Sequence, residues 1–173
     1  MKITIICAAA LTLGGCAAVT DTAENRVGVA DLRSSTGQSV GTAVLNRTGN
    51  SLTLQVDVNG LPPGPHGFHL HTTGRCDAPD FTSAGGHLNP DNNDHGPFQA
   101  SGGHLGDLLN LDVGPDGQAT YTYQVAGSAD QRLPQIFDAD GTAVLVHRDA
   151  DDYQTDLAGD AGPRIACGVL ERN

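Results

Sequence analysis

The chain has 173 residues, a length that suits one domain with a proper core and is short for two. Its formal net charge is −11, and beyond Lys2 every basic residue is an arginine. Such an acidic surface argues against nucleic acid or an anionic membrane face as a partner. It would also slow any anionic substrate unless positive charge were concentrated at the site, which draws attention to Arg164.

At the N-terminus, Met1-Lys2, the apolar stretch 3–13 and Gly14-Gly15-Cys16 have the charged, greasy and small-residue parts of an export signal. The apolar run is far shorter than the roughly 20 residues of a membrane-spanning helix. Leu13-Gly14-Gly15-Cys16 also resembles the bacterial lipobox, so residues 1–15 read as a signal and Cys16 as a lipidated N-terminus; the alternative is ordinary cleavage near Ala17-Ala18. The expected location is the periplasm or cell envelope, with the membrane touched only through that lipid. Residues 16–26 are small and polar and read as a tether, leaving 27–173 as the domain. Of the four cysteines, Cys7 lies in the apolar run and Cys16 at the lipid site; Cys76 and Cys167 remain. Two cysteines in an exported domain suggest one disulfide. It would close a loop of about ninety residues, which chain entropy values at roughly 4–5 kcal/mol.

Short β-like runs follow at 27–32, 40–45, 52–58, 67–71, 119–125, 142–147 and 165–170. In Leu52-Thr53-Leu54-Gln55-Val56-Asp57-Val58 apolar and polar residues alternate strictly, as in a strand with one buried face. No stretch presents a convincing amphipathic helix. With 23 glycines and nine prolines punctuating the runs, an all-β antiparallel sandwich or barrel is expected. Segments 72–103 and 149–164 break the pattern, and loops this long inside a compact domain carry function or are disordered.

Histidines point to function. In His69-Leu70-His71 two imidazoles separated by one residue share a face of a strand, as two ligands of one metal require. His87, His95 and His104, followed by Asp107, lie in a loop too polar to hide them in a core. Three imidazoles and a carboxylate make a closed set of the kind zinc accepts. His147 ends an apolar run where a strand leaves the core.

Together these residues resemble the copper/zinc superoxide dismutase family. The likeness runs through Gly67-Phe68-His69-Leu70-His71, Gly85-Gly86-His87-Leu88-Asn89-Pro90, His95-Gly96, Gly103-His104-Leu105-Gly106-Asp107-Leu108, Val146-His147 and Gly162-Pro163-Arg164-Ile165-Ala166-Cys167-Gly168-Val169. It implies an eight-stranded Greek-key β-barrel, a flattened sandwich carrying two long functional loops. It implies one copper per subunit, held by His69, His71, His87 and His147, and one zinc, held by His87, His95, His104 and Asp107, with His87 bridging. Asp151 matches an aspartate that links ligands of the two metals, although Asp149 and Asp152 stand close by. Cys76 and Cys167 would form the family disulfide, with the spacing of the bacterial branch. Arg164 would dock superoxide, His66 would be a hydrogen-bonded structural residue, and the assembly would be a homodimer or a monomer. The reaction implied is superoxide disproportionation to O2 and H2O2. Competing expectations are a copper-buffering envelope lipoprotein without catalysis and a structural sandwich with incidental histidines.

Overall fold

The computed structural model describes residues 25–100 and 102–173; the signal, Cys16 and nearly all of the expected tether lie outside these residues. Among the described residues there are ten strands, one α-helix and a short 3-10 turn at Thr82–Ala84: β1 (Arg26–Ser34), β2 (Ser39–Thr48), β3 (Ser51–Val58), β4 (Gly64–His66), β5 (Phe68–His71), β6 (Leu111–Val113), β7 (Ala119–Val125), α1 (Ala129–Ile136), β8 (Ala143–His147), β9 (Arg164–Val169) and β10 (Glu171–Arg172). Eight strands make one curled antiparallel sheet in the order β5-β8-β9-β1-β2-β3-β7, with β10 added beside β1; β4 and β6 pair as a separate ribbon. The chain passes from β3 near one end of this order to β5 at the other, returns to β7 and crosses again to β8. These are the long crossings of a Greek-key barrel.

Alternation decides the strands that line the interior. Leu52, Leu54, Val56 and Val58 of β3 all point inward and pack with Leu45, Phe68, Leu70 and Val146. β5 and β8 differ, because they are buried on both faces. Phe68 and Leu70 of β5 enter the main core, while His69 and His71 face the other way beneath the loops. In β8, Val144 and Val146 join the main core, whereas Ala143 and Leu145 pack with Phe81, Ala84 and Cys167 in a second, smaller cluster. The Cys76–Cys167 disulfide is formed and closes that cluster.

The first long loop runs back over the free edge of β5. Leu70 N–H donates to Gly106 O at 3.0 Å, and Leu70 O accepts from Leu88 N–H at 2.8 Å. Gly106 lies so close to the Leu70 carbonyl that a Cβ there would overlap it, so no other residue fits this crossing.

Several expectations need correction. The expected run 67–71 starts one residue later, at Phe68, because Gly67 breaks the chain between β4 and β5, its N–H donating to Asp149 O and its carbonyl accepting from His147 N–H, both at 2.8 Å. β1 starts one residue inside the expected tether, at Arg26. A helix exists where none was expected: α1 is eight residues long, is capped by Ser128 and contains Pro134. Its two turns are too few for a periodic signal, and burial of Leu133 and Ile136 holds it instead of propensity.

Candidate metal centre

Six of the seven histidines converge where β5, the end of β8 and the two loops meet. His69, His71, His87 and His147 form one group, and His87, His95, His104 and Asp107 a second; within each, the candidate ligand atoms lie within 4.8 Å of one another. His87 belongs to both. The seventh, His66, is buried elsewhere, with Nδ1 2.8 Å from His147 O and Nε2 2.8 Å from Pro62 O.

In the second group three imidazole nitrogens surround one oxygen. Nδ1 of His87, His95 and His104 lie 2.8, 3.1 and 3.1 Å from Asp107 Oδ1. A carboxylate oxygen in a protein interior has no need of three ring donors. The distances instead approach the edges of a tetrahedron, which for a zinc–nitrogen distance of about 2.0 Å are about 3.3 Å. The other oxygen, Oδ2, accepts the backbone N–H groups of Gly96 at 2.8 Å and His104 at 2.9 Å, which orient the carboxylate.

In the first group the second nitrogen of each ring settles which atom is free. Carbonyl and carboxylate oxygens only accept, so the ring atom facing one carries the proton. His71 Nδ1 faces Gly85 O at 2.9 Å and His147 Nδ1 faces Gly162 O at 3.0 Å, leaving both Nε2 atoms as bare lone pairs 3.5 Å apart. His69 Nε2 donates to Asp151 Oδ2 at 2.8 Å, which leaves Nδ1 free. His69 Nδ1 and His87 Nε2 are buried without any hydrogen-bond partner. Such orphaned, mutually facing acceptors are costly unless a cation joins them, and an all-imidazole set suits copper, whereas the set with a carboxylate suits zinc. The residues fit both metals.

Electrostatics keep the rings ready to bind. Burial pushes His69 down to about 3 and His147 down to about 4, and it lowers His71 and His87 as well, with neighbouring histidines adding to the effect. All four are therefore neutral near pH 7, the state a metal ligand needs. For Asp107 burial acts the other way, but hydrogen bonds from His87 and the Gly96 amide outweigh it and hold the carboxyl at about 2.

The profile of the copper/zinc superoxide dismutase family matches residues 39–170. The chain belongs to that family. It is 37% identical over 147 residues to Cu-Zn superoxide dismutase 1 of Aquifex aeolicus, covering 82% of this chain and 86% of that one. It is likewise 37% identical to Cu-Zn superoxide dismutase 1 of Salmonella typhimurium over 185 aligned positions, spanning 99% and 100% of the two chains. A crystal structure of a SOD-like protein from Bacillus subtilis superposes with a TM-score of 0.77 at 36% identity, over 84% of this chain and 99% of that one.

Around the centre of this superoxide dismutase relative, the three candidate aspartates separate cleanly. Asp149 is ion-paired with Arg148 at 2.8 Å, and Asp152 accepts from Thr155. Asp151 alone reaches the rings, with Oδ2 on His69 and Oδ1 on His95 Nε2 at 3.0 Å, so it ties one group to the other. A pocket of about 360 Å³ opens over His71, His87 and His147 and is also lined by His104, Leu157 and Arg164. Arg164 donates to Phe81 O at 2.6 Å and Gly85 O at 2.5 Å, so its guanidinium is held in place by the disulfide-bonded loop. Sequence reasoning passed over Asn110 and Tyr153, which bond to Asp151 or to each other. An asparagine and a tyrosine in polar loops carry no spacing signal that would have found them.

Proposed function

We propose that this protein disproportionates superoxide at a copper held by His69, His71, His87 and His147, beside a zinc held by His87, His95, His104 and Asp107. The supporting observation is His87, whose two nitrogens face opposite groups: Nδ1 meets Asp107, and Nε2 is buried and unpartnered among the other rings. When bound, copper supplies a one-electron couple, and zinc supplies fixed charge without redox chemistry.

The remaining roles fall to the chain itself. Nε2 of His87 is the atom at which a proton can be held between the two half-reactions, because Asp107 and the zinc-side rings keep the imidazole oriented throughout. Asp151 holds His69 and His95 in the tautomers that present Nδ1 inward. Arg164 attracts and seats the anionic substrate at the pocket floor, a local positive charge on an otherwise acidic molecule. Two superoxide anions and two protons thus yield O2 and H2O2.

The test is superoxide loss catalysed by the metal-loaded protein before and after copper is withdrawn with a chelator. Activity that survives complete copper removal would defeat the proposal. The copper-buffering alternative predicts a missing ligand or a missing loop arginine, and this chain has both in full. Export to the envelope and anchoring through a lipid on Cys16 are further parts of the proposal, supported by the apolar N-terminal stretch and by the disulfide. Among the described residues no helix is long and apolar enough to cross a membrane. Mass analysis of the mature N-terminus decides between a lipid-modified Cys16 and ordinary cleavage near Ala17-Ala18.

A further inference from the structure

Tyr153 has a φ of 63°, in the left-handed region that a bulky side chain rarely adopts. The conformation turns its backbone N–H back onto Asp151 Oδ1, at 2.7 Å. Its phenol oxygen meanwhile accepts the backbone N–H of Asn110 at 2.8 Å. Asn110 in turn brackets the backbone of Asp151: its Oδ1 accepts Asp151 N–H and its Nδ2 donates to Asp151 O, both at 2.9 Å. The Tyr153 carbonyl presses against Gly96, where a Cβ would overlap it, and Gly96 N–H is one of the two amides that hold Asp107 Oδ2.

We propose that Tyr153 is a positioning residue for the metal pair, acting through Asp151 with Asn110 as its anchor; this rests on the ligand assignment given above. Asp151 must turn Oδ2 to His69 and Oδ1 to His95 at once, and a carboxylate on a loop has rotational freedom to lose. Asn110 removes the backbone freedom, and the Tyr153 amide fixes one carboxylate oxygen. The phenol completes the device by holding Tyr153 in a conformation it would otherwise leave. The observed backbone outlier is thus explained by what it aims, and strain of this kind persists where the surrounding structure fixes it.

The experiment measures zinc affinity of the metal-stripped full chain by competition with a chromophoric chelator, together with the thermal midpoint. Wild type, Tyr153→Phe, Asn110→Ala, Asp151→Ala and the double variant Tyr153→Phe/Asp151→Ala are compared. Wild type is expected to bind one zinc, and Tyr153→Phe and Asn110→Ala to bind it roughly 10-fold more weakly, the lower end of what losing an outer partner costs. In the Asp151→Ala background the further penalty of Tyr153→Phe should shrink below about twofold, because the group it positions is gone. Equal penalties with and without Asp151 would overturn the proposal. So would wild-type affinity in Tyr153→Phe with only a lowered thermal midpoint, since that is the signature of a merely structural contact. Should Asn110→Ala fail to fold, Tyr153→Phe still decides, as it removes one oxygen only. A wild type that takes up no zinc would overturn the ligand assignment itself, a different failure from the loss of the Tyr153 effect.

Discussion

On the four-histidine side, His69 and His71 stand on β5 and His147 ends β8, two strands paired residue for residue with each other. On the aspartate side, His87, His95, His104 and Asp107 all come from irregular chain between β5 and β6. The first set is therefore placed by a hydrogen-bonded ladder, whereas the second is gathered by the carboxylates of Asp107 and Asp151. They differ in access as well. Both sets are nearly buried, but His71, His87 and His147 of the first line the pocket that holds Arg164, whereas His95 and Asp107 of the second do not line it. A closed set of four donors is what a structural metal wants, and an open one is what a reacting metal needs. On the proposed ligand assignment, strands thus carry the reacting side and loops carry the zinc side.

The contrast can be broken most severely at the residue both sides share. His87→Ala should lower the content of both metals and reduce superoxide turnover by more than the roughly 10–100-fold that loss of an outer partner brings. Metal analysis beside the activity assay would show it, and full copper occupancy with normal turnover would mean the two sides are independent. Arg164→Glu acts on the open side only: turnover should fall on the order of 100-fold at low salt while copper content stays near normal. Copper loss in that variant would mean that Arg164 supports the site rather than the substrate. On the aspartate side, Asp107→Asn removes the anionic ligand and should weaken zinc binding by more than the roughly 10–100-fold that loss of an outer partner costs, while leaving copper uptake at saturating metal intact.

The smallest effect expected is on acid stability without metal. His69 and His147, pushed down by burial to about 3 and about 4 from an ordinary 6.5, stay neutral in the folded protein but take up protons when it unfolds. The unfolded state then binds more protons, so the stability these rings confer is complete above pH 6.5 and is lost as the pH falls toward those lowered values. Asp107, held at about 2 against an ordinary 3.8, adds a loss of the same sign at lower pH. The thermal midpoint of the stripped protein should fall by roughly 5–10 °C between pH 7 and pH 4. A flat profile would mean that the rings are solvated and that the ladder does not place them in advance.

Much of this was legible in the chain, for reasons that differ by region. β3 announces itself because one face is buried and the other wet, and β7 spans Ala119–Val125, the run expected for it. The break at Gly67 left no trace, because it depends on Asp149 and His147, some eighty residues further along in sequence. Helix α1 was silent because its two turns are too short to show a period. At the centre, the spacing of His69 and His71 announced a shared face. It could not say which nitrogen of each ring is free, since that depends on carbonyls supplied by Gly85 and Gly162. Nor could it separate Asp151 from Asp149 and Asp152, three carboxylates within four residues whose partners lie on other segments.

The sequence by itself determined the all-β architecture, the histidines and aspartate available to bind metal, and the scarcity of positive charge that makes Arg164 conspicuous. These are properties of residue type and local period, and a strand's alternation needs no tertiary information to be read. Only the folded structure decided that His87 presents its two nitrogens to opposite groups, that Asp151 spans both, and that Tyr153 and Asn110 hold it there. Each of those depends on hydrogen bonds between segments far apart in the chain, and direction in space is set by the partner, not by the spacing.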